Sequence, residues 1–543
     1  MTSTPSKTTH VLLVSPPGWG HLRPCIVFAC KLARTRPGSI IITIPVVGEY
    51  KSLTEKEIDR CLSSEEKSVR ENFHVINLGG EGKNFLDLVP IFMGGFGSFY
   101  ASLHTVVPIK CTTGRIHTFE RSPDVVVADV FMLDGLHMIR NLSDRKVPVL
   151  CWNPANLGPV MRLVGPEVLG GIGDIEAKAA ELAQITGKSH KEAEYEVFHP
   201  KKGEVVKGPG MPPMYDYEYY PNALTGEMLE LQIPLHKKAF KMLHECDGMI
   251  CASNTAFEPE AYRATKEWFA ETSRPLYVVG PLLPDSILSS ELSNGSKIVD
   301  PQLSTDEKEI VAFLDNIYAT SGSRSLLYVS FGTIFWPPGD GIWRVIDIIL
   351  SRDIPLLLVY DEPRLGKMPE HIAEKIKKSD RALTSTWMPQ QTILCHEATG
   401  WFMTHCGQNS VTEAIVQGVP MYSFNYLNDD TELIFPFRIG WPMDAEQPAN
   451  AAYITLILGI AYELLEGRTG LGLKPMCRGA KPQGTLEALE EEIRVTLDKA
   501  FGEDGEAKRE NIRILRDKVK AGLKEGGDSA VDFENFVKTY LNV

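Results

Sequence analysis

Residues 387–420 read WMPQQTILCHEATGWFMTHCGQNSVTEAIVQGVP, and the order of devices in this stretch decides the fold. Trp387 ends an alternating run from Ala382, and Pro389-Gln390 then opens a short helical segment ending near His396. The indole therefore stands on the loop after a strand, where it can stack on a planar ring. Gly400 to His405 (GWFMTH) reads as a buried strand, Gly407 follows, and Asn409-Ser410 begin a helix running from Val411 to Gln417. An anion at that junction meets the unpaired amides and positive dipole end of the helix, with donors from His405, Asn409 and Ser410. Glu413 has two readings: a capping-box partner of Ser410, or a side chain facing the ligand.

A second strand-loop-helix unit opens the chain. Val11 to Ser15 (VLLVS) is a short apolar strand, Pro16 to Gly20 a Gly/Pro loop, and Pro24 to Arg36 carries apolar residues at helical spacing. His21 sits at the mouth of this unit, at the carboxyl edge where open α/β sheets place ligands. Asp124 to Phe131 (DVVVADVF) is another apolar strand with an acid, Asp129, near its end. That carboxylate has a bland reading, the N-cap of a helix beginning near Leu133. Its functional reading is a partner for a histidine base, which needs a carboxylate on its far nitrogen to fix the tautomer. A third entry of the same kind is Ser325 to Phe331 (SLLYVSF) followed by Gly332-Thr333.

The central stretch closely resembles the nucleotide-sugar signature of UDP-dependent glycosyltransferases acting on small molecules, of the plant and fungal type. The match runs W-x-P-Q, L-x-H, G-x-F, T-H-C-G-x-N-S, E and G-V-P in order and in register. The resemblance implies uracil stacking on Trp387, ribose contacts from Gln390 and Glu413, and a diphosphate held by His405, Asn409 and Ser410. Gly20, Thr333, Met388 and Gly407 complete the expected donor site. One departure is Gln408, where plant members usually have Trp. At the N-terminus, PGWGHLRP (Pro17 to Pro24) looks like the family's general-base segment. Asp129 then occupies the position of the base-orienting acid. The implied chemistry is attack by an acceptor hydroxyl, deprotonated by His21, on the anomeric carbon opposite UDP, giving a β-glycoside by inversion. UDP leaves against helix dipole and side-chain donors, so a UDP-sugar is expected as co-substrate, with no cofactor and no metal.

The family carries an Asp-Gln or Glu-Gln pair for the sugar hydroxyls soon after G-V-P. Counting on without a gap reaches Asp429-Asp430, whose surroundings do not match, whereas WPMDAEQPANA (Trp441 to Ala451) supplies a Pro, the pair Glu446-Gln447, and the Pro448 and Asn450 that often follow. Tyr422 to Arg438 is therefore expected to be an insertion that interrupts a buried strand. It is either an unspliced in-frame intron in the gene model or a genuine loop over the donor.

The resemblance covers almost the whole chain and implies α/β architecture of two Rossmann-like domains facing a cleft, the GT-B arrangement. The expected layout is an acceptor-binding domain at 1–281, a linker rich in Ser, Asp and Pro at 282–305, a UDP-sugar domain at 306–525, and a last segment, 526–543, returning to the first domain. A length of 543 residues suits two full cores. The net charge of −14 and sequence pI near 5.5 argue against a nucleic-acid surface.

Ten cysteines show no framework, as expected in a reducing compartment. The opening MTSTPSKTTH lacks the order of a signal peptide. The longest apolar run, Ala451 to Leu465, is short and broken by Gly459 and Glu463. A cytoplasmic enzyme without an integral membrane segment is the expectation. Cys395-His396 and His405-Cys406 raise zinc as a rival reading, though zinc ligands usually pair within one short loop. The acceptor is expected to be small and lipophilic, on the strength of the Phe/Gly/Met-rich Phe85 to His104 and of WNPANLG (Trp152 to Gly158). A silent nucleotide-sugar binder, or the same reaction with another UDP-sugar, are the competing functions.

Overall fold

The computed structural model describes residues 8–541 except 64, 81–84, 113, 200–201, 222–225, 290–304, 333–339, 363–366 and 425–445. The chain forms two units. One comprises Met1–Glu194, Glu230–Asp285 and Ala521–Val543, the other Tyr195–Leu229 and Ser286–Lys520.

The first unit is built on seven parallel strands: β1 (Thr9–Val14), β2 (Ile40–Val46), β3 (Phe73–Asn77), β4 (Val125–Asp129), β5 (Val149–Asn153), β6 (Met249–Cys251) and β7 (Leu276–Val278). Their order across the sheet is β7-β6-β5-β4-β1-β2-β3. The strands read as unbroken apolar runs because both faces are covered, as parallel sheets require. Val11, Leu13, Val125, Val127 and Trp152 point to one face, beneath the helix Trp19–Thr35 and the last helix, Asp528–Tyr540, which contributes Phe533 and Phe536. Leu12, Val14, Val126 and Ala128 point to the other, beneath the helices Phe85–His104 and Leu133–Leu142. Phe92, Phe96 and Tyr100 of the first of these are fully buried, so much of the aromatic content of that stretch is core.

The second unit repeats the scheme with six strands: β8 (Leu326–Ser330), β9 (Leu356–Val359), β10 (Ala382–Ser385), β11 (Thr399–Thr404), β12 (Met421–Phe424) and β13 (Ala461–Leu464). Their order is β10-β9-β8-β11-β12-β13, all parallel. Both sheets thus start in the middle, run to one edge, and restart beside the first strand. This is the doubly wound order, whose reversal point opens a crevice at the carboxyl ends of the two central strands. In the first unit those strands are β1 and β4, in the second β8 and β11.

Several expectations change. Residues 195–229, counted with the first domain from sequence, belong to the second unit. There Tyr217 Oη donates to Pro475 O at 2.5 Å, Thr469 N to Pro221 O at 3.2 Å, and Cys477 N to Glu218 Oε1 at 2.7 Å. The chain passes to the second unit at Ser286, and residues 290–304 of the expected linker lie outside the described residues. Tyr422 to Phe424 do not loop out: they complete β12, pairing with β11 and β13, and Tyr422 is fully buried between the rings of Trp401 and Tyr462. The rest of the expected insertion, including Asp429 and Asp430, lies outside the described residues. Ala451 to Leu465 divides into the end of one helix, a single π-turn and β13. Among the described residues no helix is long and apolar enough to cross a membrane.

Candidate active site

In the first unit the helix after β1 begins at Trp19, not Pro24, with Gly18 as its N-cap residue. Pro24 is accommodated in its second turn, where the missing N–H removes only a bond to the carbonyl of Gly20. Gly20 and His21 therefore lie in the first helical turn, with the imidazole at the crevice. Asp129 is the last residue of β4, so the reversal point brings the two side chains together: His21 Nδ1 and Asp129 Oδ2 are 2.8 Å apart. A carboxylate only accepts, so Nδ1 carries the proton and Nε2 is the basic nitrogen. The imidazole is 22% exposed and the carboxylate fully buried.

The second oxygen of Asp129 accepts from Phe131 N at 3.1 Å, closing the turn after the strand. The helix that follows is capped at Met132 without a side-chain bond. Asp129 is therefore not that helix's cap. Two further residues steady the histidine in a role the sequence did not indicate. Trp152, beside Asp129 in register, donates its indole N–H to the carbonyl of His21 at 3.3 Å, and the Phe131 ring lies 5.6 Å from the imidazole.

In the second unit Gly332 follows β8 and His405 follows β11. A Cβ at Gly407 would fall 2.5 Å from His405 Nε2, and one at Gly332 would fall 2.9 Å from its Cε1. The imidazole thus lies against two backbones that only glycine allows so close. Enclosure depresses the pKa of His405 to about 4 through desolvation, so the ring is neutral at physiological pH and offers one N–H. Cys406 turns the chain with φ 63°, and Gly407 caps the helix Gln408–Gln417. Asn409 and Ser410 occupy its first turn, where the amides have no intrahelical acceptor.

Because the cap is Gly407, Ser410 is not an N-cap and the capping-box reading of Glu413 fails. Glu413 is instead buried, its two oxygens accepting from Gln390 Nε2 at 2.7 Å and Gln391 Nε2 at 2.9 Å. Gln390 also reaches Ser410 Oγ at 3.2 Å, and Tyr328 Oη donates to Gln390 Oε1 at 3.4 Å. Gln391 was not anticipated; the doubled Gln390-Gln391 was its only sequence signal. Trp387 is 60% exposed on the loop after β10, whereas Met388 beside it is buried. Gln408, in the place of the expected Trp, turns back to Thr412 Oγ1 at 3.0 Å. Thr333 lies outside the described residues.

Glu446 precedes the short helix Gln447–Ala452, in which Gln447 is buried. Asn450 of that helix donates to the carbonyl of Cys406 at 3.0 Å, which sets the Glu446-Gln447 end beside the loop that carries His405. The Cys395-His396 and His405-Cys406 pairs stand at opposite ends of β11. Its six residues separate them by about 20 Å at ~3.3 Å per residue, too far to share one ion. All ten cysteines are free thiols.

Comparison with known proteins gives the same direction. The family described as UDP-glucoronosyl and UDP-glucosyl transferase matches residues 300–437, ending inside the segment read as an insertion. The UDP-glycosyltransferase eriJ of Hericium erinaceus is 25% identical over 559 residues, covering 98% of this chain and 99% of the relative. UDP-glycosyltransferase 74B1 of Arabidopsis thaliana is 22% identical over 546 residues, covering 99% of each. Among solved structures, a transferase from Siraitia grosvenorii in complex with UDP aligns with a TM-score of 0.66 at 19% identity, over 98% of this chain and 100% of that one. Phytolacca americana UGT2, complexed with UDP-2-fluoro-glucose and pterostilbene, aligns at 0.64 and 18% identity, over 99% of this chain and 100% of that one. At such identities the structures speak for the fold, the GT-B pair of Rossmann-like domains, while the relatives matched over nearly their full length are glycosyltransferases by name. Two reversal points furnished as described above stand in a chain that carries a segment of the family described as UDP-glucoronosyl and UDP-glucosyl transferase and that is similar over nearly its whole length to UDP-glycosyltransferases.

Proposed function

We propose that the enzyme moves a hexose, glucose, from its UDP-sugar to a hydroxyl of a small lipophilic acceptor, with inversion, giving a β-glycoside. The observation that carries this reading is the His21–Asp129 pair. A neutral imidazole has its Nδ1–H committed to a buried carboxylate at 2.8 Å, which leaves Nε2 to take the acceptor proton as the oxygen attacks the anomeric carbon. Asp129 then faces the imidazolium that forms and stabilises it.

The second unit would hold the donor. Uracil stacks on Trp387, and ribose hydroxyls exchange with the hydrogen bond between Gln390 and Glu413. The diphosphate sits against the first-turn amides of the helix Gln408–Gln417, with donors from His405, Asn409 and Ser410. Glu446 and Gln447 take the sugar hydroxyls. Charge developing on the departing UDP meets fixed dipoles already oriented toward it, which supports catalysis without a metal. The apolar residues around His21, Phe131 among them, support a lipophilic acceptor. A cytoplasmic location agrees with ten cysteines that form no disulfide among the described residues.

The test is a donor-by-acceptor screen in which purified enzyme is offered several UDP-sugars with phenols, terpenoid alcohols and sterols, and products are read by mass spectrometry and anomeric NMR couplings. A β-glucoside from UDP-glucose is the expected product. An α-glycoside, or preference for another UDP-sugar, would refute inversion or the donor assignment respectively. UDP binding with no product from any pair would favour the silent-binder reading.

A further inference from the structure

We infer that Asn450 is a positioning residue for the donor, orienting the Cys406–Gly407 peptide so that the Gly407 amide faces the diphosphate. The inference rests on the donor assignment made above. Cys406 is the hinge of the loop: it has φ 63°, a left-handed conformation that a residue bearing a Cβ adopts only when its surroundings impose it. Asn450, fully buried, donates its Nδ2–H to the Cys406 carbonyl at 3.0 Å across 44 residues of sequence.

In a trans peptide the carbonyl and the following N–H point in opposite directions. Holding the carbonyl toward Asn450 therefore turns the Gly407 N–H away from it, at the mouth of the helix Gln408–Gln417. The same peptide fixes how closely Gly407 approaches His405, whose Nε2 is 2.5 Å from where a Cβ on that glycine would stand. Asn450 lies one helical turn after Glu446 and donates its backbone N–H to the Glu446 carbonyl at 2.8 Å. One side chain thus ties the helix that carries Gln447 to the loop that carries His405.

Calorimetric titration of UDP into the full chain and two variants tests this. Asn450→Ala leaves a buried carbonyl without its donor, and UDP affinity is expected to fall about tenfold. In Asn450→Asp an ionised carboxylate cannot donate to the carbonyl, but a protonated one can. Its UDP affinity, divided by that of wild type at the same pH, is expected to be low at pH 8 and to recover toward wild type as pH falls. Glu463, ion-paired to Arg468 and Arg478 near Cys406, and His405 titrate in all three proteins, so the ratio removes their effect. A role confined to holding the fold would lower thermal midpoints and leave the affinity of folded protein, and its pH profile, unchanged; that result overturns the inference. If Asn450→Ala does not fold, the profile of Asn450→Asp decides alone. Failure of the wild type to bind UDP would instead sink the donor assignment, and the inference with it.

Discussion

Trp387 and Glu413 respond differently to the same sequence argument. The tryptophan keeps 60% of its surface in water on the loop after β10, so its indole is not spent on the core. Trp387→Ala is therefore expected to weaken UDP binding by about 1–3 kcal/mol, the scale of base stacking on aromatics, with little change in unfolding midpoint. An unaltered affinity in a calorimetric titration would remove the indole from the site. Glu413, by contrast, is closed off by two glutamines at 2.7 and 2.9 Å, which spacing in the sequence could not reveal because Gln390 and Gln391 lie on a different helix. The Ser410–Glu413 interval matched a capping box, but interval alone does not say where a helix starts. Gly407, with an extended backbone at φ −62° and ψ 146°, took the cap.

At the scale of elements, the strands were the most legible part. The central strands are mostly apolar runs, with their polar residues (Thr9, His10, Asp129, Ser330, Thr399 and Thr404) at or near the ends, so burial on both faces leaves a clear signal. Helix starts were harder. Pro24 looked like a beginning and is an interior residue, because the true first turn, Trp19 to Leu22, carries no capping side chain to mark it. Helix Leu157–Val164 starts on a device from far along the chain: Glu258 accepts from Leu157 N at 2.7 Å, from Gly158 N at 2.9 Å, and from Ser253 Oγ.

Burial raises the Glu258 carboxyl from 4.5 to about 7 despite those bonds. The folded state therefore holds a proton that the unfolded state has lost between these values, so this group's contribution to stability declines as pH rises through that window. Glu258→Gln cannot titrate, and its stability relative to wild type is expected to climb by up to about 3 kcal/mol between pH 4.5 and 8. Urea unfolding at both ends of the range measures it; a constant gap would mean that the three donors hold the ionised form without penalty. The choice between Asp430 and Gln447 for the sugar contacts gives a prediction at the same scale. Because Asn450 docks the helix Gln447–Ala452 on the Cys406 loop, Gln447→Ala is expected to raise the KM for UDP-sugar more than Asp430→Ala. The reverse order would transfer the sugar contacts to Asp430.

Over the whole molecule, the two sheets share one winding order, and each reversal point carries a histidine in a different state. His21 is 22% exposed and paired to a carboxylate; His405 is enclosed, with its pKa lowered to about 4 by desolvation. The first arrangement suits a base and the second a neutral donor. This division was readable in outline from two strand-loop-helix units, but the return of residues 195–229 to the second unit was not. It is made by contacts such as that between Tyr217 and Pro475, residues too distant in sequence for any local pattern to connect.

If base and donor site are separate devices, His21→Ala will part transfer from UDP binding. Single-turnover transfer and UDP affinity would be measured on the same preparation. Loss of the base is expected to cost about 10²–10⁴ in the rate of transfer, with UDP affinity unchanged within a few-fold. Transfer at the wild-type rate, or a collapse of UDP binding in step with activity, would contradict that separation.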